Sequence, residues 1–303
     1  MHTTFKMKDL GPLHYFLGME VSRTGSGLFL HQSKYARDLL QKAGLEKCTS
    51  QPTPMAVSSS TNGADTPFAD ITHFRSLIGA LQYLAITRPD IQFVVNRVAQ
   101  LMHQPSEHNY HCLKRILRYI FGTLGRGLLI RLGDLELRGF SDSDWANDKN
   151  DRKSTSGFLV FLGPNLISWC TKKQPKVSRS STEAEYRALA LLAAETMWVT
   201  YILRELRATH TVPALYCDDK SIICVAKNSV LHTRMKHVDT DCLFVRDKVQ
   251  AGTMTVQYIP TEEQPADIFT KPLPSQHHDY LSSKLPFAST QLSLRGIITD
   301  SIK

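Results

Sequence analysis

Apolar positions along this chain change period from segment to segment. Residues 14–31 alternate in short runs around Thr24-Gly25-Ser26-Gly27, which predicts a hairpin of strands near 14–21 and 28–30. Residues 32–43 shift to helical spacing and end at Gly44. Residues 46–70, rich in Ser, Thr, Pro, Asn and Gly, read as a linker or long loop. Helices are expected near 72–86, 89–103 and 107–122, with Pro89 and Pro105 at positions suited to helix starts or breaks. From residue 126 the period becomes that of strands, near 127–132, 135–142, 157–162 and 166–170. A long helix over 181–207 follows. After it come a strand at 213–217, helices at 220–227 and 236–250, and a strand at 254–259. Thr261-Glu262-Glu263-Gln264 resembles a capping box opening a helical turn through Phe269. Strands first and alternating helix and strand afterwards imply an α/β fold with a mixed sheet covered by helices. No internal repeat is visible, and Trp145, Trp169 and Trp198 are expected in the core.

No apolar stretch approaches the roughly 18 residues of a membrane span, and the N-terminus lacks a signal-type apolar run, so no membrane partner is expected. None of the six cysteines forms a C-x-x-C pair; they read as reduced thiols of an intracellular protein, cytoplasmic or nuclear. The formal net charge of +8 is uneven. Residues 1–135 carry 15 basic and 9 acidic side chains, against 21 and 19 in the remainder. A basic first half beside acidic positions in the second fits polyanion binding coupled to metal chemistry.

Those acidic positions are Asp142 in Gly139-Phe140-Ser141-Asp142-Ser143-Asp144-Trp145, Glu185 in Ser181-Thr182-Glu183-Ala184-Glu185-Tyr186, Asp218 in Tyr216-Cys217-Asp218-Asp219, and Asp267 in Gln264-Pro265-Ala266-Asp267-Ile268. Each falls where a strand ends or a helix begins. Carboxylates gathered in one pocket repel one another unless divalent cations neutralise them, and hard Mg2+ or Mn2+ prefers oxygen ligands. A pair of such ions is the usual machinery for in-line attack on a phosphodiester. Strand periodicity does not separate Asp142 from Asp144, which share a face. On the long helix, Glu185, Ala188, Leu189, Leu192, Thr196, Val199 and Leu203 form a stripe, which sets Glu185 at the edge of the buried face. Glu183 points away and is spaced to pair with Arg187. Asp218 ends a strand, and Asp219 is placed to cap the helix after it. Tyr216-Cys217-Asp218-Asp219 also fits a polymerase Tyr-x-Asp-Asp signature, but a helix follows where that signature needs a hairpin.

Longer motifs carry a family resemblance. Phe5-Lys6-Met7-Lys8-Asp9-Leu10-Gly11-Pro12-Leu13-His14-Tyr15-Phe16-Leu17-Gly18 resembles the end of the reverse transcriptase of copia-type LTR retrotransposons. Arg75-Ser76-Leu77-Ile78-Gly79-Ala80-Leu81-Gln82-Tyr83-Leu84 and Thr87-Arg88-Pro89-Asp90-Ile91 resemble its connection segment. Ser141-Asp142-Ser143-Asp144-Trp145-Ala146, Lys153-Ser154-Thr155-Ser156-Gly157, Ser178-Arg179-Ser180-Ser181-Thr182-Glu183-Ala184-Glu185-Tyr186, Lys236-His237-Val238-Asp239 and Ala266-Asp267-Ile268-Phe269-Thr270-Lys271 are similar to its RNase H domain.

The resemblance implies an α/β, RNase H-like fold: a five-stranded mixed sheet, strands one to three antiparallel, with flanking helices. A reverse transcriptase remnant is expected over 1–57, a helical connection segment over 58–132, the RNase H-like domain over 133–274 and a tail over 275–303. By motif position, Asp142, Glu185, Asp218 and Asp267 are implied as catalytic ligands of two Mg2+ or Mn2+ ions. Asn147 and Asp219 depart from the family's usual Gly and Asn. The implied substrate is an RNA–DNA hybrid whose RNA strand is hydrolysed; binding without cutting, or an inert genomic copy, is the alternative. Lys114, Arg115 and Arg118 form one basic stretch, and Lys172, Lys173, Lys176, Arg179 and Ser180 another, suited to phosphate contacts. His237 is a candidate auxiliary for product release, with a structural role the other reading. The family's polymerase Asp residues would lie upstream of Met1. The expectation is therefore a C-terminal piece of a longer polyprotein or a truncated copy, served by a polymerase-bearing chain in trans if by any.

Overall fold

In the computed structural model, residues 11–58, 66–148, 150–227 and 239–289 are described. The N-terminal segment forms β1 (Tyr15–Phe16), β2 (Met19–Thr24) and β3 (Gly27–His31), followed by α1 (Ser33–Lys42). The expected first strand is thus split at Leu17 and Gly18, both with positive φ. Gly18 also lies against the Tyr83 ring, and the Tyr83 hydroxyl donates to the Leu17 carbonyl. Leu13, Tyr15, Phe16 and Leu17 are exposed, which leaves an apolar strip at this edge.

Helices α2 (Ile71–Leu84), α3 (Gln92–Ala99) and α4 (Glu107–Gly122) follow. Their apolar faces pack with α1 through Leu39, Leu77, Leu81, Val95, Leu113 and Ile116. The helix expected over 89–103 begins as a 3-10 turn, Pro89–Ile91, and α3 ends at Ala99. The capping box of this region is on α4, where the Ser106 hydroxyl accepts from the Asn109 amide and the Asn109 side chain accepts from the Ser106 amide. Below the 3-10 turn lies a buried ionic cluster. Asp90 accepts from Arg88 at 2.8 Å, from the Tyr119 hydroxyl at 2.7 Å and from Arg126 at 3.2 Å.

The second half is built on β5 (Leu137–Asp144), β6 (Thr155–Leu162), β7 (Asn165–Lys173), β8 (Ala214–Cys217) and β9 (Thr255–Tyr258). Their order is β7-β6-β5-β8-β9, with β5, β6 and β7 antiparallel and β8 and β9 parallel to β5. This is the RNase H-like arrangement that the sequence motifs imply. One face is covered by α5 (Ser181–Glu205), α6 (Lys220–Lys227) and α7 (Asp239–Gln250). The α5 face buried there includes Ala188, Leu189, Leu192, Thr196, Val199 and Leu203, the stripe read from the sequence. The opposite face, with Leu159 and Phe161, is covered by Leu128, Ile268, Phe269 and Leu281.

Residues 275–289, expected as the start of a tail, instead form α8 (Ser275–Ser283) and β10 (Phe287–Ser289). β10 pairs antiparallel with β4 (Arg126–Ile130), which pairs with β3. The first sheet therefore runs β1-β2-β3-β4-β10 and draws strands from both ends of the described chain. Apolar Leu281, Leu285 and Phe287 supply the drive for this return, a signal the polar Pro274–His278 stretch hides. Two tryptophans also depart from expectation. Trp198 is 58% exposed on the outer face of α5, and Trp145 is 46% exposed, its indole N–H donating to the Ser178 carbonyl at 3.0 Å.

Candidate metal centre

Asp142 lies on β5, the central strand of the second sheet, and is buried. Asp144 sits at the end of the same strand, less buried. Glu185 is in the second turn of α5, whose start is fixed by the Ser180 hydroxyl accepting the Glu183 amide at 3.1 Å. Asp218 follows the last residue of β8. These three elements converge, and single oxygens of Asp142, Glu185 and Asp218 lie within 4.8 Å of one another. The neighbouring acids are engaged elsewhere. Glu183 pairs with Arg187 at 2.7 Å, and Asp219 caps α6 by accepting the Ser221 amide at 2.8 Å.

Asp267 is not in that group of three. It sits on the 3-10 turn Pro265–Phe269, and Lys271 stands between it and Asp142, with Nζ 3.1 Å from Asp267 Oδ1 and 3.3 Å from Asp142 Oδ1. The Thr270 hydroxyl donates to Asp142 Oδ2. The turn is held in place by Thr171, whose hydroxyl donates to the Phe269 carbonyl at 2.8 Å, and by Gln264, which donates to the Ser141 carbonyl at 3.0 Å. The capping box expected at 261–264 does not form. The Thr261 hydroxyl donates instead to Asp218 Oδ2 at 2.9 Å. Asn147 donates to the Thr270 carbonyl at 3.4 Å and accepts from Thr155 at 3.1 Å, so it bridges the loop after β5 to the turn.

The electrostatics are those of crowded, desolvated acids. Burial, reinforced by Asp142 and Asp218, pushes the Glu185 carboxyl well above its ordinary value. Burial and then Asp142 raise Asp218 in the same direction. Burial followed by Asp142 pushes Asp267 up to about 7, against the opposing pull of Lys271. Burial lowers the Lys271 pKa, but Asp142 and Asp267 outweigh it and hold the ammonium above its usual range. Glu185 Oε1 accepts the Ser143 amide at 2.9 Å. Its Oε2 is buried and has no hydrogen-bond partner among the described residues. An all-oxygen set that includes a buried, unsatisfied carboxylate oxygen fits a hard divalent cation.

Several known proteins are similar to this chain. It is 44% identical over 284 residues to the retrovirus-related Pol polyprotein from transposon RE1 of Arabidopsis thaliana, a match covering 93% of this chain and 19% of that protein. It is 41% identical to the corresponding polyprotein from transposon RE2, covering 97% and 20%. It is also 51% identical over 199 residues to the uncharacterized mitochondrial protein AtMg00810 of the same plant, covering 65% of this chain and 83% of that one. The chain belongs to the copia-type retrotransposon Pol family. It spans about a fifth of the length of the RE1 and RE2 polyproteins. No protein-family model matches it. Similar solved structures include the N-terminal RNase H domain of rv2228c from Mycobacterium tuberculosis, with a TM-score of 0.33 and 14% identity, covering 50% of this chain and 98% of that one. LC11-RNase H1 in complex with RNA/DNA hybrid gives 0.35 and 13%, covering 45% and 94%.

The basic residues of this Pol segment fall into two regions. Lys114, Arg115 and Arg118 line a cavity of about 1040 Å³ with Lys47, Arg97 and His111. Within it, Arg115 donates to Thr53 at 2.9 Å and Arg118 to the Thr49 carbonyl at 2.7 Å, fixing residues 49–55 against α4. Lys114 lies over the Tyr110 ring. Lys172, Lys176 and Arg179 are exposed. Lys173 is paired with Asp148 and, at 3.0 Å, with Asp151. Ser180 is the α5 cap. His237 lies outside the described residues. The residues that sequence reasoning passed over are Thr270, Lys271 and Thr261. The Asp267-to-Lys271 spacing, an i,i+4 acid–base pair, was the signal that could have found Lys271.

Proposed function

We propose that this segment acts as a ribonuclease H, hydrolysing the RNA strand of an RNA–DNA hybrid. The convergence of Asp142, Glu185 and Asp218, with the unsatisfied Glu185 Oε2 among them, is the observation that carries this reading. Asp142, Glu185 and Asp218 are the residues that would hold a divalent cation, Mg2+ or Mn2+, with Asp267 available for a second ion. When bound, such ions polarise the scissile phosphate and lower the pKa of bound water.

The chain's own residues do the positioning. Thr270 fixes Asp142 Oδ2, Thr261 fixes Asp218 Oδ2, and the Ser143 amide fixes Glu185 Oε1, so each carboxylate keeps one oxygen oriented. Exposed Lys172, Lys176 and Arg179, at the end of β7 and just before the Glu185 helix, are suited to grip backbone phosphates. The 2′-hydroxyl, rather than base edges, distinguishes the strand to be cut, so no sequence preference is expected. The products would be a 3′-hydroxyl and a 5′-phosphate. A polymerase-bearing chain in trans and an intracellular setting belong to the same proposal; the free thiols of Cys48, Cys112, Cys170, Cys217 and Cys224 support the second.

The test is cleavage of an end-labelled RNA–DNA hybrid by the full chain in Mg2+ and in Mn2+, beside Asp142→Asn and Glu185→Gln. Cutting of RNA alone, abolished by EDTA and by either substitution, is the expected result. A folded protein that binds hybrid without cutting it overturns the proposal and leaves a binding role.

A further inference from the structure

Lys271 is the unusual member of this site. Its ammonium lies between two carboxylates, 3.3 Å from Asp142 Oδ1 and 3.1 Å from Asp267 Oδ1. Asp142 is therefore shared between two groups: the one it makes with Glu185 and Asp218, and the pair with Asp267 that Lys271 bridges. Asp267 belongs to the second alone. The lysine is delivered there by its place in the chain. The Lys271 amide donates to the Asp267 carbonyl at 3.1 Å, so one helical turn aligns the two side chains.

Resting on the metal-dependent reading above, we propose that Lys271 is the tethered counter-cation of the Asp142–Asp267 pair. The protein without nucleic acid then takes up one divalent ion, at Asp142, Glu185 and Asp218, rather than two. Coulombic reasoning supports this division. An ammonium at hydrogen-bond distance from both carboxylates offsets their repulsion, and a divalent ion entering the same position would have to displace it. The Lys271 side chain is 30% exposed, so its head can swing to solvent on a long flexible stem when something else neutralises the pair. A scissile phosphate arriving with its own ion would be such an occasion. Lys271 is on this account a positioning residue: it keeps Asp142 and Asp267 aligned before the substrate arrives.

The test counts Mn2+ ions bound per full-length chain by electron paramagnetic resonance, without nucleic acid, for the wild type, Lys271→Met, Lys271→Arg and Asp267→Asn. The expected saturation is one ion for wild type, Lys271→Arg and Asp267→Asn, and a doubling for Lys271→Met. Two ions in the wild type overturn the proposal, as does a single ion in a folded Lys271→Met. Should Lys271→Met not fold, Lys271→Gln replaces it with the same expected doubling, and an ion lost from Asp267→Asn means that Asp267 is an obligatory ligand and the division is wrong. If no variant and no wild type binds an ion, the metal-dependent reading itself fails. A one-ion wild type with an unchanged Lys271→Met overturns the proposal and leaves the metal-dependent reading standing.

Discussion

Gly157 on β6 faces Asp142 on β5 in register, and the missing side chain there is what admits the turn that orients Asp142. A Cβ at position 157 would stand 2.7 Å from both Phe269 Cβ and Thr270 Cγ2. Neither neighbour is the loose end of a long side chain, since Phe269 is buried and Thr270 is committed to Asp142.

Gly157→Ala is therefore expected to lift the 265–271 turn off the sheet. Overpacking of this kind costs about 1–3 kcal/mol, and the loss of Thr270 and Lys271 from Asp142 falls directly on the site. Hybrid cleavage should drop by more than the change in the folded fraction explains. Comparing urea midpoints with cleavage rates checks this. An alanine variant with wild-type rates would show that the turn does not need the contact.

The contribution of the acidic cluster to stability without metal should fall as pH rises from about 4 to about 7. Asp267, raised from 3.8 to about 7, is a carboxyl whose neutral form the folded state prefers. Its stabilising contribution is complete below the unfolded pKa and is lost as pH climbs through the folded one. Glu185 and Asp218, also raised, act with the same sign. Lys271, raised from 10.5, keeps its contribution throughout this window. His31 and His278, whose pKa values burial lowers, act with the opposite sign in the same window, so the decline is read as a difference. Melting temperatures in EDTA should fall more steeply with pH for wild type than for Asp267→Asn, and Mg2+ should shrink that difference by neutralising the same carboxylates. Parallel EDTA profiles for wild type and Asp267→Asn would contradict the crowding of these acids.

The cluster beneath the Pro89 turn makes a separate prediction. Burial opposes the charge of Asp90, yet Arg88 and Arg126 hold its carboxyl well below the usual range. Asp90→Ala leaves Arg88, 2% exposed, as a buried charge without its carboxylate. Breaking one side of such a pair costs about 3–5 kcal/mol. A denaturant titration should show that loss, with the helices α2–α4 affected, while the metal-site geometry on the second sheet is a poor place to look for it. A cost under about 1 kcal/mol would mean that Tyr119 and Thr123 suffice to satisfy Arg88.

Much of this was legible in the sequence, for a local reason in each case. The stripe along α5 favoured Glu185 over Glu183, and Glu185 does lie beside Asp142 and Asp218, but both glutamates are buried and the pairing of Glu183 with Arg187 is what sets it apart. On β5 the same reasoning left Asp142 and Asp144 equal, because a strand places alternate residues together; the motif resemblance implied Asp142, and the fold distinguishes it by bringing it to Glu185, Asp218, Thr270 and Lys271. The Thr261 hydroxyl was misassigned because a capping-box pattern is local, whereas its partner Asp218 lies 43 residues away. β10 was missed for a similar reason: three residues carry no periodicity, and its pairing with β4 is a property of the whole fold. The exposed Trp198 shows the converse limit, since size and apolarity alone do not say which side of a helix faces the sheet.

The basic residues should divide by what already engages them. Lys172 and Lys176 are exposed, and no side-chain partner fixes their ammonium groups among the described contacts, so phosphate can claim them. Lys173 is paired with Asp148 and Asp151, and Arg115 and Arg118 hold residues 49–55. Double substitution of Lys172 and Lys176 by Ala is expected to leave the melting temperature in place and to reduce the salt dependence of hybrid binding. Each lost phosphate contact lowers the slope of log K against log salt by roughly 1. Arg118→Ala is expected to act in the opposite order, lowering stability through the freed Thr49 carbonyl before it alters the slope. Binding isotherms at several salt concentrations, read beside thermal melts, separate the two. If Lys172 and Lys176 leave the slope unchanged, the hybrid does not pass the end of β7, and the cavity beside α4 becomes the surface to test next.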